Sequence, residues 1–208
     1  MAKVTHNTNS GTIESIIGPL VVAQSVPDVR MYDMVLVGDE QLLGEVIELR
    51  DSRAWIQVYE ETTGLVVGQK VVSTKKPLSV RLGPGMLTRF YDGIQRPLDA
   101  IFKESGSYIK RGVVVPAIDL EKKWHFTAVA KVGETVEHGM IIGEVQETEL
   151  VLHKIMIPKG VTGVLSAIKS GEYTVEEPIA QVKQADGTTV AIMMYQDWPI
   201  REARPFAH

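Results

Sequence analysis

The stretch "TIESIIGPLVVAQ", Thr12 to Gln24, sets the pattern for the first third of the chain. Two short runs rich in Ile and Val flank Gly18-Pro19, a pair that ends one strand and turns the chain into the next. The second run stops before Pro27. The unit then recurs. "DMVLV" (Asp33 to Val37) ends at Gly38-Asp39, "LLGEVIELR" (Leu42 to Arg50) at Asp51-Ser52, and "AWIQVYE" (Ala54 to Glu60) before Thr62-Thr63-Gly64. "QKVVST" (Gln69 to Thr74) closes the series. Turn signals return about every ten residues, and β-branched residues fill the spaces between them. Six such strands with no helix between them predict a six-stranded β-barrel over 11–76, because closure removes exposed edges.

Working outward, residues 1–10 form a polar leader, and residues 77–112 change texture. "PLSVRL" (Pro77 to Leu82) reads as a strand, and "PLDAIFKES" (Pro97 to Ser105) as a short helix with proline in its first turn and Gly106 as its stop. Between them "GPGMLTRFYDGI", Gly83 to Ile94, mixes Gly and Pro with Met86, Leu87, Phe90 and Tyr91. That is the signature of a connector whose apolar residues need a partner. This section is a short α/β connector. Residues 113–190 return to β, with "WHFTAVA", "MIIGEV", "ELVLHKIMI", "GVLSAI", "PIAQV" and "TTVAIMMY" as strands. Two phrases nearly repeat, "KVGETVEHGMIIGEV" (Lys131 to Val145) and "IKSGEYTVEEPIAQV" (Ile168 to Val182). Such pseudo-symmetric halves resemble the β-sandwich (barrel-sandwich hybrid) of biotinyl and lipoyl carrier domains. Residues 191–208 form a closing segment. The fold class is mainly β.

Composition narrows the function. Of 208 residues 44% are hydrophobic and 23% charged, which supports a real core, and no apolar run approaches the length of a membrane span. With no cysteine, disulfides, thiolate zinc sites and cysteine nucleophiles are excluded. The leader lacks the apolar region of a secretory signal, so cytoplasmic residence is expected. A net charge of −4 offers no general attraction to phosphate backbones, so nucleic acid is not expected as a partner.

Four candidate sites follow from residue types. "GLVVGQK", Gly64 to Lys70, approaches a phosphate loop, but its spacing is wrong, its interior is apolar and no Ser or Thr follows the lysine. The histidines are His6, His125, His138, His153 and His208, without metal-ligand spacing; Glu149 and His153 lie four apart on a strand and share a face only loosely. Glu60-Glu61 and Glu176-Glu177 are adjacent, so on strands they point to opposite faces and make poor acid/base pairs. A carrier domain would place its lysine at a hairpin tip about eight residues before Pro158; here that position is Leu150, and Lys154 reads as a solvent-facing strand residue. Trp55 and Tyr59 form an aromatic strand face suited to a core or an interface, and Trp124 and Phe126 share a core-facing side. No catalytic, cofactor-binding or metal-ligating residue is assigned.

"MYDMVLVGDEQLLGEVIELR", "AWIQVYEETTGL", "PLSVRLGPGMLTRFYDGIQRPLD", "KKWHF", "HKIMIPKGVTG" and "WPIREARP" follow one another from Met31 to Pro205. In that order they resemble the N-terminal part of the catalytic A subunit of vacuolar- and archaeal-type rotary ATPases, in a prokaryotic form. "YEETTGL" and "GPGMLTRFYDGIQRPL" are the most specific phrases. Lys75 stands where the family commonly has glycine, and Arg81 where it commonly has an acid; both read as surface-type changes. The resemblance implies a barrel at 11–76 that joins the crown of an alternating hexamer with non-catalytic B subunits. It implies the start of the nucleotide-binding domain at 77–112, a bulge domain at 113–190 that meets stator or stalk subunits, and a return toward the nucleotide-binding domain at 191–208. It also implies an intact subunit that hydrolyses or makes ATP with Mg2+, coupled to H+ or Na+ transport, peripheral to the membrane and not inserted in it. The phosphate loop of the family follows this region, so these residues alone are expected neither to bind nor to hydrolyse ATP. The apolar residues of the 83–94 connector are expected to face that further domain. Two other readings remain open: a biotinyl- or lipoyl-like carrier, and an independent protein-interaction module.

Overall fold

The computed structural model describes residues 10–87, 89–106, 112 and 115–204. In its first section the strands form where apolar residues alternate with exposed ones. They are β1 (Gly11–Ile17), β2 (Leu20–Gln24), β3 (Asp33–Val37), β4 (Leu42–Arg50), β5 (Arg53–Val58) and β6 (Lys70–Pro77). They close into an antiparallel barrel in the order β1-β2-β5-β4-β3-β6. The closing pair joins Gly11 to Val71 and Thr12 to Lys70. Register shifts in β1, β4 and β3/β6 mark bulges, which bend strands enough to close so small a barrel. Ile13, Val21, Val35, Val37, Leu42, Val46, Ile56, Val58 and Val71 fill the interior. Burying one such side chain fully is worth about 1.5–3 kcal/mol. Trp55 lies between buried Ala54 and Ile56, so the aromatic face of β5 points away from this core. Two carboxylates are also buried: Asp33 accepts the Arg30 N–H at 2.9 Å, and Glu45 accepts the Tyr59 hydroxyl at 3.1 Å.

Lys75, within β6, takes φ 57°. A residue with a Cβ pays about 1–2 kcal/mol in this left-handed region, which glycine avoids. The departure from glycine noted at this position therefore falls on a strained backbone. Its ammonium reaches Asp28 at 3.3 Å, an exposed pair of the kind that contributes about 0–1 kcal/mol. Lys75→Gly is expected to stabilise the barrel by about 0.5 kcal/mol after glycine's extra unfolded-state entropy is subtracted. Lys75→Ala, which loses the ion pair but keeps the strain, should show no gain. Urea midpoints of the two variants against the parent chain check this.

Beyond the barrel come β7 (Ser79–Leu82), α1 (Leu98–Ser105), β8 (Trp124–Ala128), β9 (Thr135–Val136), β10 (Ile141–Thr148) and β11 (Val151–Met156). They are followed by β12 (Gly163–Ile168), β13 (Gly171–Tyr173), β14 (Ala180–Lys183), β15 (Thr189–Ile192) and β16 (Gln196–Pro199). "PLSVRL" is thus divided, its Pro77 ending β6 and its Ser79 opening β7. The helix starts after Pro97, whose carbonyl accepts the Ile101 N–H at 3.0 Å. Asp99 in its first turn and Lys103 in its last complement the helix dipole. Gly106, at φ 73°, closes it by donating to the Phe102 carbonyl at 2.9 Å.

The near-repeat of the sequence is visible in the sheets. One runs β11-β10-β8-β13 and the other β15-β14-β12-β9. Three strands of each sheet come from one half of the repeat, and the fourth, β9 or β13, is exchanged with the other half. The two inner faces share one core that includes Phe126, Val136, Ile142, Val145, Leu165, Val182 and Ile192. Trp124 is buried in it, with the Lys122 ammonium 3.8 Å from its ring centre. A separate two-stranded ribbon pairs β7 with β16. The chain divides into two compact units, of whose described residues one holds 10–79 with 102–106 and 112, the other 80–101 with 115–204. No helix among the described residues is long and apolar enough to cross a membrane.

Candidate functional site

The 64–70 loop leads into a strand, and its amides already have acceptors inside the barrel unit. Gly68 N–H donates to the Ile13 carbonyl at 2.8 Å, Gln69 N–H to Val66 at 3.2 Å, and Val66 N–H to the Gln69 side chain at 3.0 Å. A phosphate cradle needs such amides free and convergent. Val66 and Val67 instead present their side chains to solvent.

Among the histidines, His6 and His208 lie outside the described residues. His138 is exposed. His125 Nδ1 lies 2.7 Å from the Glu172 carboxylate across the β8–β13 pair, on the surface. His153 turns inward on β11 and meets Glu147 at 3.3 Å, not Glu149. Among the described residues no three His, Cys, Asp or Glu side chains group as metal ligands do. The position of a carrier lysine is occupied by Leu150, which is 95% exposed at the turn between β10 and β11. Lys154 sits further down β11, exposed and opposite Glu144.

The 81–97 segment carries the most elaborate polar construction. Glu147, on β10, has a side chain only 1% exposed. Its Oε1 accepts two backbone amides of the connector, Gly85 at 2.8 Å and Leu87 at 3.1 Å, while Oε2 faces His153 Nδ1. Burial pushes the His153 imidazole below its ordinary pKa; Glu147 opposes that shift and the Arg204 guanidinium adds to it. Further along, Asp92 Oδ1 accepts the amides of Ile94 (3.1 Å) and Arg96 (2.8 Å), and Oδ2 accepts Arg96 Nε at 2.7 Å. Burial raises the Asp92 carboxyl, but these three donors prevail and hold it below its ordinary value. Gln95 bridges both backbone polar groups of Arg81, at 2.6 and 2.8 Å.

Two expectations change here. Met86, grouped with the residues awaiting another domain, packs on the core of the sandwich sheets, and Tyr91 is half-buried. Only Leu87 and Phe90 of that set stand outward, 63% and 82% exposed. Glycine turns and an inward carboxylate let the connector fold back on its own unit. Arg81 is also more than a surface change. Its guanidinium grips Asp197 through two bonds of 2.8 and 3.0 Å and stacks 4.2 Å from the Tyr195 ring centre, which ties β7 to β16. The hydrogen bond to Asp197 raises the Arg81 pKa against a lowering by partial burial.

Reading residue types did not single out Glu147. Its signal was a carboxylate two residues after Val145, at an inward position of an alternating strand. The partners that make it informative lie about sixty positions away.

Two family descriptions match the chain in order. "ATP synthase alpha/beta family, beta-barrel domain" covers residues 13–75, and "ATPsynthase alpha/beta subunit barrel-sandwich domain" covers 115–201. A V-type ATP synthase alpha chain of Thermoanaerobacter sp. (strain X514) is 54% identical over 198 residues, 95% of this chain and 34% of that relative. A V-type ATP synthase alpha chain of Clostridium botulinum (strain Loch Maree / Type A3) is 51% identical over 200 residues, covering 96% and 34%. An A-type ATP synthase chain of Methanopyrus kandleri is 50% identical over 201 residues, again 96% and 34%. The chain spans about a third of the length of the curated relatives it matches. With a closed six-stranded barrel under the first match and paired four-stranded sheets under the second, the chain belongs to the ATP synthase alpha/beta family.

Proposed function

We propose that the chain is the assembly region of the catalytic subunit of an ion-translocating rotary ATPase. The observation that carries this is the pair of family matches, barrel then barrel-sandwich, at 50–54% identity to V-type and A-type chains across nearly all of the sequence. In this reading 11–76 is a crown barrel that packs beside non-catalytic B subunits in an alternating hexamer. Residues 77–112 open the nucleotide-binding domain, 113–190 form a bulge domain that meets stator or stalk subunits, and 191–208 lead back. The intact subunit hydrolyses or makes ATP with Mg2+ at the membrane surface, coupled to H+ or Na+ movement.

A surface suited to the barrel's part exists. Thr62 Oγ1 donates to the Gly18 carbonyl at 2.7 Å and Gly68 N–H to Ile13, which lays the 62–68 loop along β1. Ile17 on β1 and Val66 and Val67 on that loop are all exposed, apolar side chains of the kind that association surfaces use. Mixing the chain with a V-type B subunit should give a complex by native mass spectrometry, weakened by Ile17→Glu with Val67→Glu. If the two proteins stay apart at tens of micromolar, about the range of weak encounters, the reading is overturned.

By themselves these residues are expected to bind no nucleotide: in the glycine-spaced 64–70 loop the amides of Val66, Gly68 and Gln69 are engaged within the barrel. Ligand that binds the native state must raise its melting temperature. Millimolar ATP with Mg2+ should therefore leave the melting curve of this chain unchanged; a reproducible rise would contradict the assignment.

A further inference from the structure

We propose that Glu147 and His153 form a proton-operated clasp, which holds the Gly83–Leu87 loop against the β10–β11 hairpin at neutral pH and releases it on acidification. The proposal stands on geometry. One buried carboxylate makes three contacts at once: two amides of the loop on Oε1, and the imidazole of the next strand on Oε2. A neutral His153 with its proton on Nδ1 donates to Glu147 and completes the set without placing net positive charge in the site. Its side chain is 22% exposed, so a second proton would put a cation in a mostly dry position.

The charged and titratable groups around it come from each neighbouring segment. Glu147 acts from β10, and Arg204, in the closing segment, bears on His153, its own Nε buried and without a hydrogen-bond partner among the described residues. Tyr91, in the connector, has a buried hydroxyl without a partner among the described residues and lies in the field of Arg89, Asp99 and Glu147. Arg89 itself lies 3.8 Å from Asp119. An imidazolium would gain Glu147 but would stand against Arg204 and lose its hydration.

The sign follows from linkage. The closed state holds His153 below its ordinary pKa of about 6.5, and the clasp requires that lifting the loop from Glu147 lets water back to the imidazole. The advantage of the closed state is therefore complete above that ordinary value and is lost as pH falls through the depressed one. Between the two the opening constant rises by up to about tenfold per pH unit, the limit for one proton. Release matters because the same loop carries Leu87 and leads to Phe90, the outward apolar pair. Loosening it changes how that pair is presented.

The test is amide exchange of Gly85 and Leu87 in the full chain from pH 7.5 to 5.0, corrected for intrinsic exchange. The opening constants of these two amides should rise as pH falls, while those of Val35 and Ile56 in the barrel stay flat. His153→Asn keeps a side-chain N–H for Glu147 but cannot titrate, so it should keep the neutral-pH protection and abolish the slope. Glu147→Gln removes the charge that faces the imidazole and should speed exchange at both amides about tenfold or more at pH 7.5, the equivalent of losing one charge-assisted bond. A flat profile in the parent chain, or an unchanged slope in His153→Asn, overturns the clasp. Neither outcome bears on assembly with a B subunit, which is tested separately above.

Discussion

Truncating Phe126 to alanine is expected to remove about 3–5 kcal/mol from the second compact unit, a large share of the roughly 5–15 kcal/mol that keeps a typical domain folded. The ring sits on β8, fully buried and central to the core shared by both four-stranded sheets. It meets Tyr173 edge-on, with centroids 6.5 Å apart and an interplanar angle of 76°, and lies opposite Val145 in the β8–β10 register. Alanine would leave a cavity bounded by strands of both halves of the repeat, which cannot collapse without parting β8 from β10 and β13. The barrel has a different core, built from Ile13, Val35, Ile56, Val71 and their neighbours. The amides of Val35 and Ile56 should therefore keep their protection while Trp124 fluorescence reports an early transition. A single shared transition would show the two cores to be thermodynamically coupled. A loss under about 1 kcal/mol would show that the site closes around the smaller side chain.

Gly143→Ala should do comparable damage by the opposite route. A Cβ on Gly143 would lie 2.2 and 2.3 Å from Cε2 and Cζ of Phe126, and 2.7 Å from the backbone oxygen of Thr127. Glycine is required here because the ring of β8 folds over the bare backbone of β10, and the Gly143–Ala128 register fixes that approach. Overpacking of this kind costs about 1–3 kcal/mol, and the contact with backbone places this site at or above the upper end. Phe126→Leu lacks both ring atoms, so the double variant should recover part of the loss: the two changes should be less than additive by about 1 kcal/mol or more. Recovery stays partial because the Thr127 oxygen remains. Strict additivity in denaturant midpoints would mean that the methyl group is accommodated by backbone movement and not by the ring.

Lys75 and Arg81 show how a local reading of residue type can misjudge a position. Both looked like surface substitutions, yet Lys75 occupies a left-handed backbone position within β6 and Arg81 holds β7 to a strand 116 positions later. Backbone angle and long-range pairing are not carried by residue type, so neither was visible until the chain was folded.

The barrel strands were legible because their causes are local. Alternating Val and Ile between Gly-Pro, Gly-Asp and Asp-Ser turns specify extended half-buried segments whatever lies elsewhere, and β2, β3 and β4 match their expected bounds to the residue. The helix after Pro97 and the near-repeat were local too, and the family phrases are strings of adjacent residues. What required the tertiary structure is non-local. β9, β13 and β16 have two to four residues, too few for periodicity to register, and exist because another strand offers them an edge. The exchange of β9 and β13 between sheets depends on both halves packing at once. Met86 was expected to face a further domain, but it packs, partly buried, on the sandwich core between Gly85 and Leu87, whose amides bond Glu147 sixty-two and sixty positions later. A carboxylate in a polar-looking strand end carries no mark of that distance; only closure of the chain brings its desolvation and its hydrogen bonds to the same point.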